Sequence, residues 1–70
     1  MFYIVHSTSG NEITHYESLN GVINHINEYM TLEQAFTYHV AYSEVAYDRS
    51  RAHIICLGST LHRDMFERFK

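Results

Sequence analysis

The chain opens with a run of strand formers, Phe2-Tyr3-Ile4-Val5-His6, and a second follows at Ile13-Thr14-His15-Tyr16. β-Branched and aromatic residues suit the pleated backbone. Between them Ser7-Thr8-Ser9-Gly10-Asn11-Glu12 is turn-forming, and Gly10-Asn11 fits a two-residue hairpin loop. Such a loop pairs Ser9 with Glu12 and His6 with His15. It sets Phe2, Ile4, His6, Ile13, His15 and Leu19 on one face, read as the core side. Tyr3, Val5, Ser7, Thr14 and Tyr16 then occupy the other face.

The period then changes from two to three or four. Leu19, Val22, Ile23, Ile26 and Met30 form one apolar stripe, with Asn20, Asn24, Asn27 and Glu28 on the opposite side. Ser18 is a good N-cap, so the pattern predicts a helix over 19–30. Gly21 in the first turn weakens that helix without vetoing it.

Residues 31–48 carry two signals. Thr31-Leu32-Glu33-Gln34 reads as a capping box, which opens a helix. Yet Phe36, Tyr38, Val40 and Tyr42 alternate with Thr37, His39, Ala41 and Ser43, the signature of a strand. The favoured reading is a helical turn near 32–35 followed by a strand at about 36–46. One continuous helix over 32–47 is the alternative. Asp48-Arg49-Ser50-Arg51 reads as a turn, and Ala52 to Leu57, bounded by Gly58, as a short buried strand. Ser59 or Thr60 then caps a last helix with Leu61, Met65, Phe66 and Phe69 on one face, ending in the dipole-compatible Arg68 and Lys70.

The predicted fold is therefore α+β, a small two-layer domain of order ββαββα with a mainly antiparallel four-stranded sheet. The alternative order is ββααβα. Seventy residues imply one domain spanning 1–70. A core this small is marginal alone, so oligomerisation or a partner would help. An apolar fraction of 46% still argues for a folded core and against disorder. The single cysteine, Cys56, lies in an apolar run and reads as a buried, inert thiol. With no disulfide framework the chain reads as cytoplasmic. Met1 to Val5 is too short for a signal-peptide core, and no window reaches the ~20 apolar residues of a membrane span. The leading Met1 suggests a complete small gene product.

Charge is unevenly distributed. Residues 1–48 contain no Lys or Arg but carry Glu12, Glu17, Glu28, Glu33, Glu44 and Asp48, a formal −6. The remainder holds Arg49, Arg51, Arg63, Arg68 and Lys70 against two carboxylates, a formal +3. Affinity for nucleic acid follows the number of phosphate contacts, so direct binding by the first 48 residues is disfavoured.

Six histidines (His6, His15, His25, His39, His53, His62) are spread at gaps of 9, 10, 14, 14 and 9 residues. None of these spacings makes a local chelate on a helix or strand, so the reading is one scattered imidazole per element and no metal site. Protonating all six would move the formal charge from −3 to +3, so an acidic surface here is a property of neutral pH and above. His53 and His62 sit near Arg49, Arg51 and Arg63, the residue types of a small ribonuclease. Five basic side chains against eight acidic ones equip it poorly for a polyanion. Gly58-Ser59-Thr60 is not a nucleophile elbow, and Gly10, Gly21 and Gly58 form no phosphate loop. No catalytic residue and no cofactor are assigned, and the chain is read as a non-enzyme.

What is left is a binding surface. Six tyrosines are too many for so small a core, and tyrosine is enriched at interfaces. Tyr38 and Tyr42 are expected to cover the core, with Tyr29 and Tyr47 exposed. The pairs Tyr16-Glu17, Glu28-Tyr29 and Tyr47-Asp48, with Glu44, place carboxylates beside tyrosines and away from any lysine. Glu17, Glu28, Tyr29, Glu44, Tyr47 and Asp48 are thus the candidate binding residues. Equally, these carboxylates serve as a solvating face. The binding reading calls for a host protein with a basic surface, typically a nucleic-acid-handling enzyme. Size and missing catalytic motifs fit the inhibitors that phages and mobile elements direct at host enzymes. A His-dependent small ribonuclease or a His-rich metal-binding protein is the alternative. Self-association as a homodimer, through the Arg-rich C-terminal part or a sheet edge, is a further route.

Overall fold

The hairpin forms, with strands β1 (Phe2–His6) and β2 (Glu12–Tyr16), but in another register than a two-residue loop would give. In the computed structural model, which describes residues 1–44 and 50–63, Phe2 lies opposite Tyr16, Tyr3 opposite His15 and Ile4 opposite Thr14. A bulge at Ile13 then brings Val5 opposite Glu12. The connection runs over residues 7–11. The Gly10 N–H donates to the His6 carbonyl at 2.8 Å, and the His6 N–H to the Asn11 carbonyl at 2.9 Å. Gly10 alone takes a positive φ, 74°. Polar side chains hold the wider turn, His6 Nδ1 accepting from the Ser9 N–H and Ser9 Oγ from the Asn11 N–H.

This register corrects the expected faces. Tyr16, not Ile13 or His15, joins Phe2, Ile4 and Leu19 against the main core, and Ile13 is exposed at the bulge. His15 stands beside Tyr3 on the opposite face, ring centroids 5.5 Å apart.

Helix α1 (Leu19–Tyr29) starts where predicted, with Ser18 Oγ accepting from the Gly21 N–H at 3.3 Å. Val22 and Ile26 are fully buried. Gly21 has a packing reason: a Cβ there would lie 2.9 Å from Tyr16 Cβ, Cγ and Cδ1. The capping box is also present. Thr31 Oγ1 accepts from the Gln34 N–H at 3.2 Å, and Gln34 Oε1 from the Thr31 N–H at 3.0 Å, opening helix α2 (Leu32–Ala35).

Strand β3 follows at Tyr38–Tyr42, so the continuous helix over 32–47 is not formed. Phe36 is not part of the strand. It caps α2 in helical backbone and is 52% exposed. The Thr37 hydroxyl and N–H both donate to the Gln34 carbonyl, which delays the strand to Tyr38.

Strand β4 (His53–Leu57) completes a sheet of order β2-β1-β3-β4, every neighbour antiparallel. The domain is α+β, as its sequence pattern predicts. β4 is not buried, however. It is an edge strand with a bulge at Ile55, and Ile54, Ile55 and Leu57 are exposed. Cys56 faces the core only half-buried, where burial raises its thiol pKa. Gly58–Leu61 then forms a 3-10 turn, η1, in place of the start of an α-helix, and Leu61 is buried. Most of the predicted last helix, including Met65, Phe66, Arg68, Phe69 and Lys70, lies outside the described residues.

The main core packs Ile4 and Val40 of the sheet against Val22 and Ile26 of α1, Ala35 of α2 and Leu61 of η1. A second buried cluster of Tyr3, Val5 and Ala41, flanked by Met1 and Ala52, occupies the opposite face of the sheet. Tyr3, Ile4 and Val5 are therefore all buried, which marks β1 as a central strand enclosed on both faces.

Candidate functional site

The candidate residues sit on different elements. Glu17 is exposed between β2 and α1, immediately before the Ser18 cap. Glu44 is exposed just past β3. Tyr16 and Tyr42 both lie opposite Phe2, one on each side of β1. Glu17 and Glu44 thus leave the sheet at the same end, their strands two spacings, about 10 Å, apart. Glu28 and Tyr29 occupy the last turn of α1, both exposed. An eleven-residue helix spans ~16 Å, so this pair stands well away from Glu17. The structure brings Glu17 and Glu44 to one end and leaves Glu28 and Tyr29 apart from them. Tyr47 and Asp48 lie outside the described residues.

Tyr29 is 71% exposed, as expected, and it has a support that sequence reasoning missed. Its ring lies 5.1 Å from that of His25, one helical turn earlier. His25 in turn lies 5.7 Å from Tyr16, and the Tyr16 hydroxyl and His25 Nδ1 share a hydrogen bond of 2.8 Å. A row of three rings, Tyr16–His25–Tyr29, therefore runs from the sheet margin along α1 to solvent. Its one sequence signal was the four-residue spacing of His25 and Tyr29 on a predicted helix. Tyr38 packs on the core and Tyr42 lies beside Phe2, rings 5.2 Å apart.

All five glutamates among the described residues are exposed, and the segment that carries them has no Lys or Arg. Glu12 stands 3.8 Å from His15, a contact that gains charge only when the imidazole is protonated. Glu28 and Tyr29 are consecutive exposed residues of α1, so the last turn of the helix offers a basic partner both a carboxylate and an aromatic ring.

The histidines fall one to an element or its border, and five of them, all but His53, make a side-chain contact among the described residues. His6 stacks edge-on against Tyr38 at 5.1 Å. His39 Nδ1 lies 3.2 Å from Ser7 Oγ, and burial lowers the His39 pKa. His53 is exposed on β4 opposite Tyr42. His62 is buried, with Nε2 donating to the Met30 carbonyl at 2.9 Å. That bond occupies His62 in holding the end of α1 near η1. Among the described residues no three His, Cys, Asp or Glu side chains gather as a metal-ligand set. Nor is any described helix long and apolar enough to cross a membrane.

No protein-family model matches the chain, and neither a curated protein nor a solved structure shows significant similarity to it. The fold and the placement of its side chains are the grounds for a functional reading.

Proposed function

We propose that this chain is a small non-enzymatic interaction protein whose acidic, tyrosine-bearing surface docks on a basic surface of another protein. The partner class is a nucleic-acid-handling enzyme, and the role is that of a phage- or mobile-element-encoded inhibitor. The observation that supports this reading is the exposure of Glu12, Glu17, Glu28, Glu33 and Glu44 on a segment without Lys or Arg, with Tyr29 projecting beside Glu28. Tyrosine contributes rigid, amphipathic contact area, and unopposed carboxylates steer a basic partner. Glu28 and Tyr29 form the anchor in this proposal. Glu17 and Glu44, at the end of the sheet, extend the field.

The test is capture from a bacterial lysate on the immobilised full chain. A basic nucleic-acid enzyme should be retained at low salt and released as salt rises, because screening weakens exposed charge pairs. Glu28→Gln combined with Tyr29→Ala should reduce retention at least tenfold. Salt-independent capture of an acidic partner would refute the electrostatic docking. RNA cleavage by the purified chain, abolished in His53→Ala, would overturn the non-enzymatic reading.

A further inference from the structure

The two edges of the sheet are built differently. β2 carries Glu12 within the strand, a bulge at Ile13 and Glu17 just beyond, all devices that blunt an edge against pairing. β4 reads His-Ile-Ile-Cys-Leu, with no charged residue and no proline. Ile54 is 68% and Leu57 52% exposed, and Ile55 stands out at the bulge. Ile54 lies opposite Ala41 and Leu57 opposite His39, so both share the face that buries Tyr3, Val5 and Ala41. Among the described residues no strand pairs with the outer edge of β4.

We infer that β4 pairs antiparallel with β4 of a second copy of this chain, joining two sheets across a two-fold axis. The strand is self-complementary. Setting Ile54 opposite Leu57 of the other copy matches the faces of both residues and places the axis between Ile55 and Cys56. No like charges meet in the ladder, because β4 carries none. The two Arg51 side chains, just before β4, fall about 30 Å apart in this register, so they do not oppose it. A partner of either charge finds no counter-charge on β4, whereas a second copy brings to the edge the same uncharged strand, with Ile54, Ile55 and Leu57 exposed on it. Closed two-fold pairing is also the commonest solution for self-association. The edge is narrower than the ~800 Å² per partner of a standard interface, so dimerisation should depend on concentration in the micromolar range.

Sedimentation velocity on the full chain, from about 1 to about 200 µM, tests this. The wild type should pass from the 8.3 kDa monomer to a species of twice that mass. Ile54→Lys should stay monomeric with an unchanged far-UV spectrum, and Leu57→Lys serves in its place if that variant fails to fold. Ile13→Lys, on the blunted edge, should still dimerise. A monomer at every concentration would overturn the proposal, as would a dimer that survives both β4 substitutions. Growth into larger assemblies would overturn it as well, since that signals head-to-tail pairing. The experiment contains no second protein, so its outcome is separate from that of the docking proposal.

Discussion

Asn27 Nδ2 donates to the Leu61 carbonyl at 3.1 Å, across 34 residues of sequence. The same amide donates to the Ile23 carbonyl at 2.9 Å, and its oxygen accepts from the Arg63 N–H. One side chain thereby ties the turn after β4 to helix α1. Asn27→Ala leaves the carbonyl of the buried Leu61 without this donor. The expected cost is about 1–3 kcal/mol. Thermal denaturation should show it, at about 4–8 °C per kcal/mol for a chain of this size. Asn27→Asp keeps the acceptor for Arg63 but sets a carboxylate oxygen against the Ile23 and Leu61 carbonyls, so it should cost at least as much.

Gly21→Ala should destabilise, against helix propensity, which predicts a gain of about 1 kcal/mol. The added methyl would land 2.9 Å from three Tyr16 carbons near the backbone, where the ring cannot swing clear. A loss of about 1–3 kcal/mol in urea denaturation is expected. Combining it with Tyr16→Ala removes the Cγ and Cδ1 contacts but keeps Cβ, so part of the penalty should be relieved, giving a measurable coupling in the double-mutant cycle. Additive losses would show that the contact is not the cause.

His39 gives stability a defined pH dependence. Burial lowers its pKa in the folded chain, so the unfolded chain takes up the proton first as pH falls. The His39 contribution is complete above the unfolded value of ~6.5 and is lost as pH drops through the folded one. The urea midpoint should therefore fall less between pH 7.5 and 5.5 in His39→Gln than in the wild type. An NMR titration placing His39 at or above free histidine would contradict this.

Cys56 should react slowly. Burial raises its thiol pKa, so little thiolate exists at pH 8, and the half-buried side chain limits access. Modification by an aromatic disulfide reagent should accelerate roughly tenfold or more once urea unfolds the chain. Equal rates in both states would show that the thiol is open to solvent.

Much of the fold was legible wherever a local signal had no rival. The stripe from Leu19 to Ile26, the Ser18 cap and the Thr31–Gln34 box each specify their element within a few residues. The β1–β2 register was not legible, because Tyr3, Ile4 and Val5 are all buried and no alternation marks the inner face. Bulges at Ile13 and Ile55 shift facing by one residue, a matter of long-range pairing that local patterning does not encode. An apolar stretch such as Ile54–Leu57 looks like a buried strand until the strand order puts it at an edge. Asn27 read as a solvent-side residue, since its partners arrive from the far end of the chain. At the candidate site, the exposure of Glu28 and Tyr29 was readable, but the Tyr16–His25 support depended on how α1 leans on β2.

The strand order has a consequence for how the chain acquires its fold. β1 is synthesised before both of its neighbours, β2 on one side and β3, which follows both helices, on the other. The hairpin can close at once, since its loop is short. The β1–β3 ladder must wait for more than thirty intervening residues, a non-local step that slows folding. Until then β1, the most buried of the described strands, keeps one backbone edge open. The interval between those two events is when a nascent chain is most exposed to aggregation, and α1, forming locally in between, is the element placed to cover Ile4 during that wait.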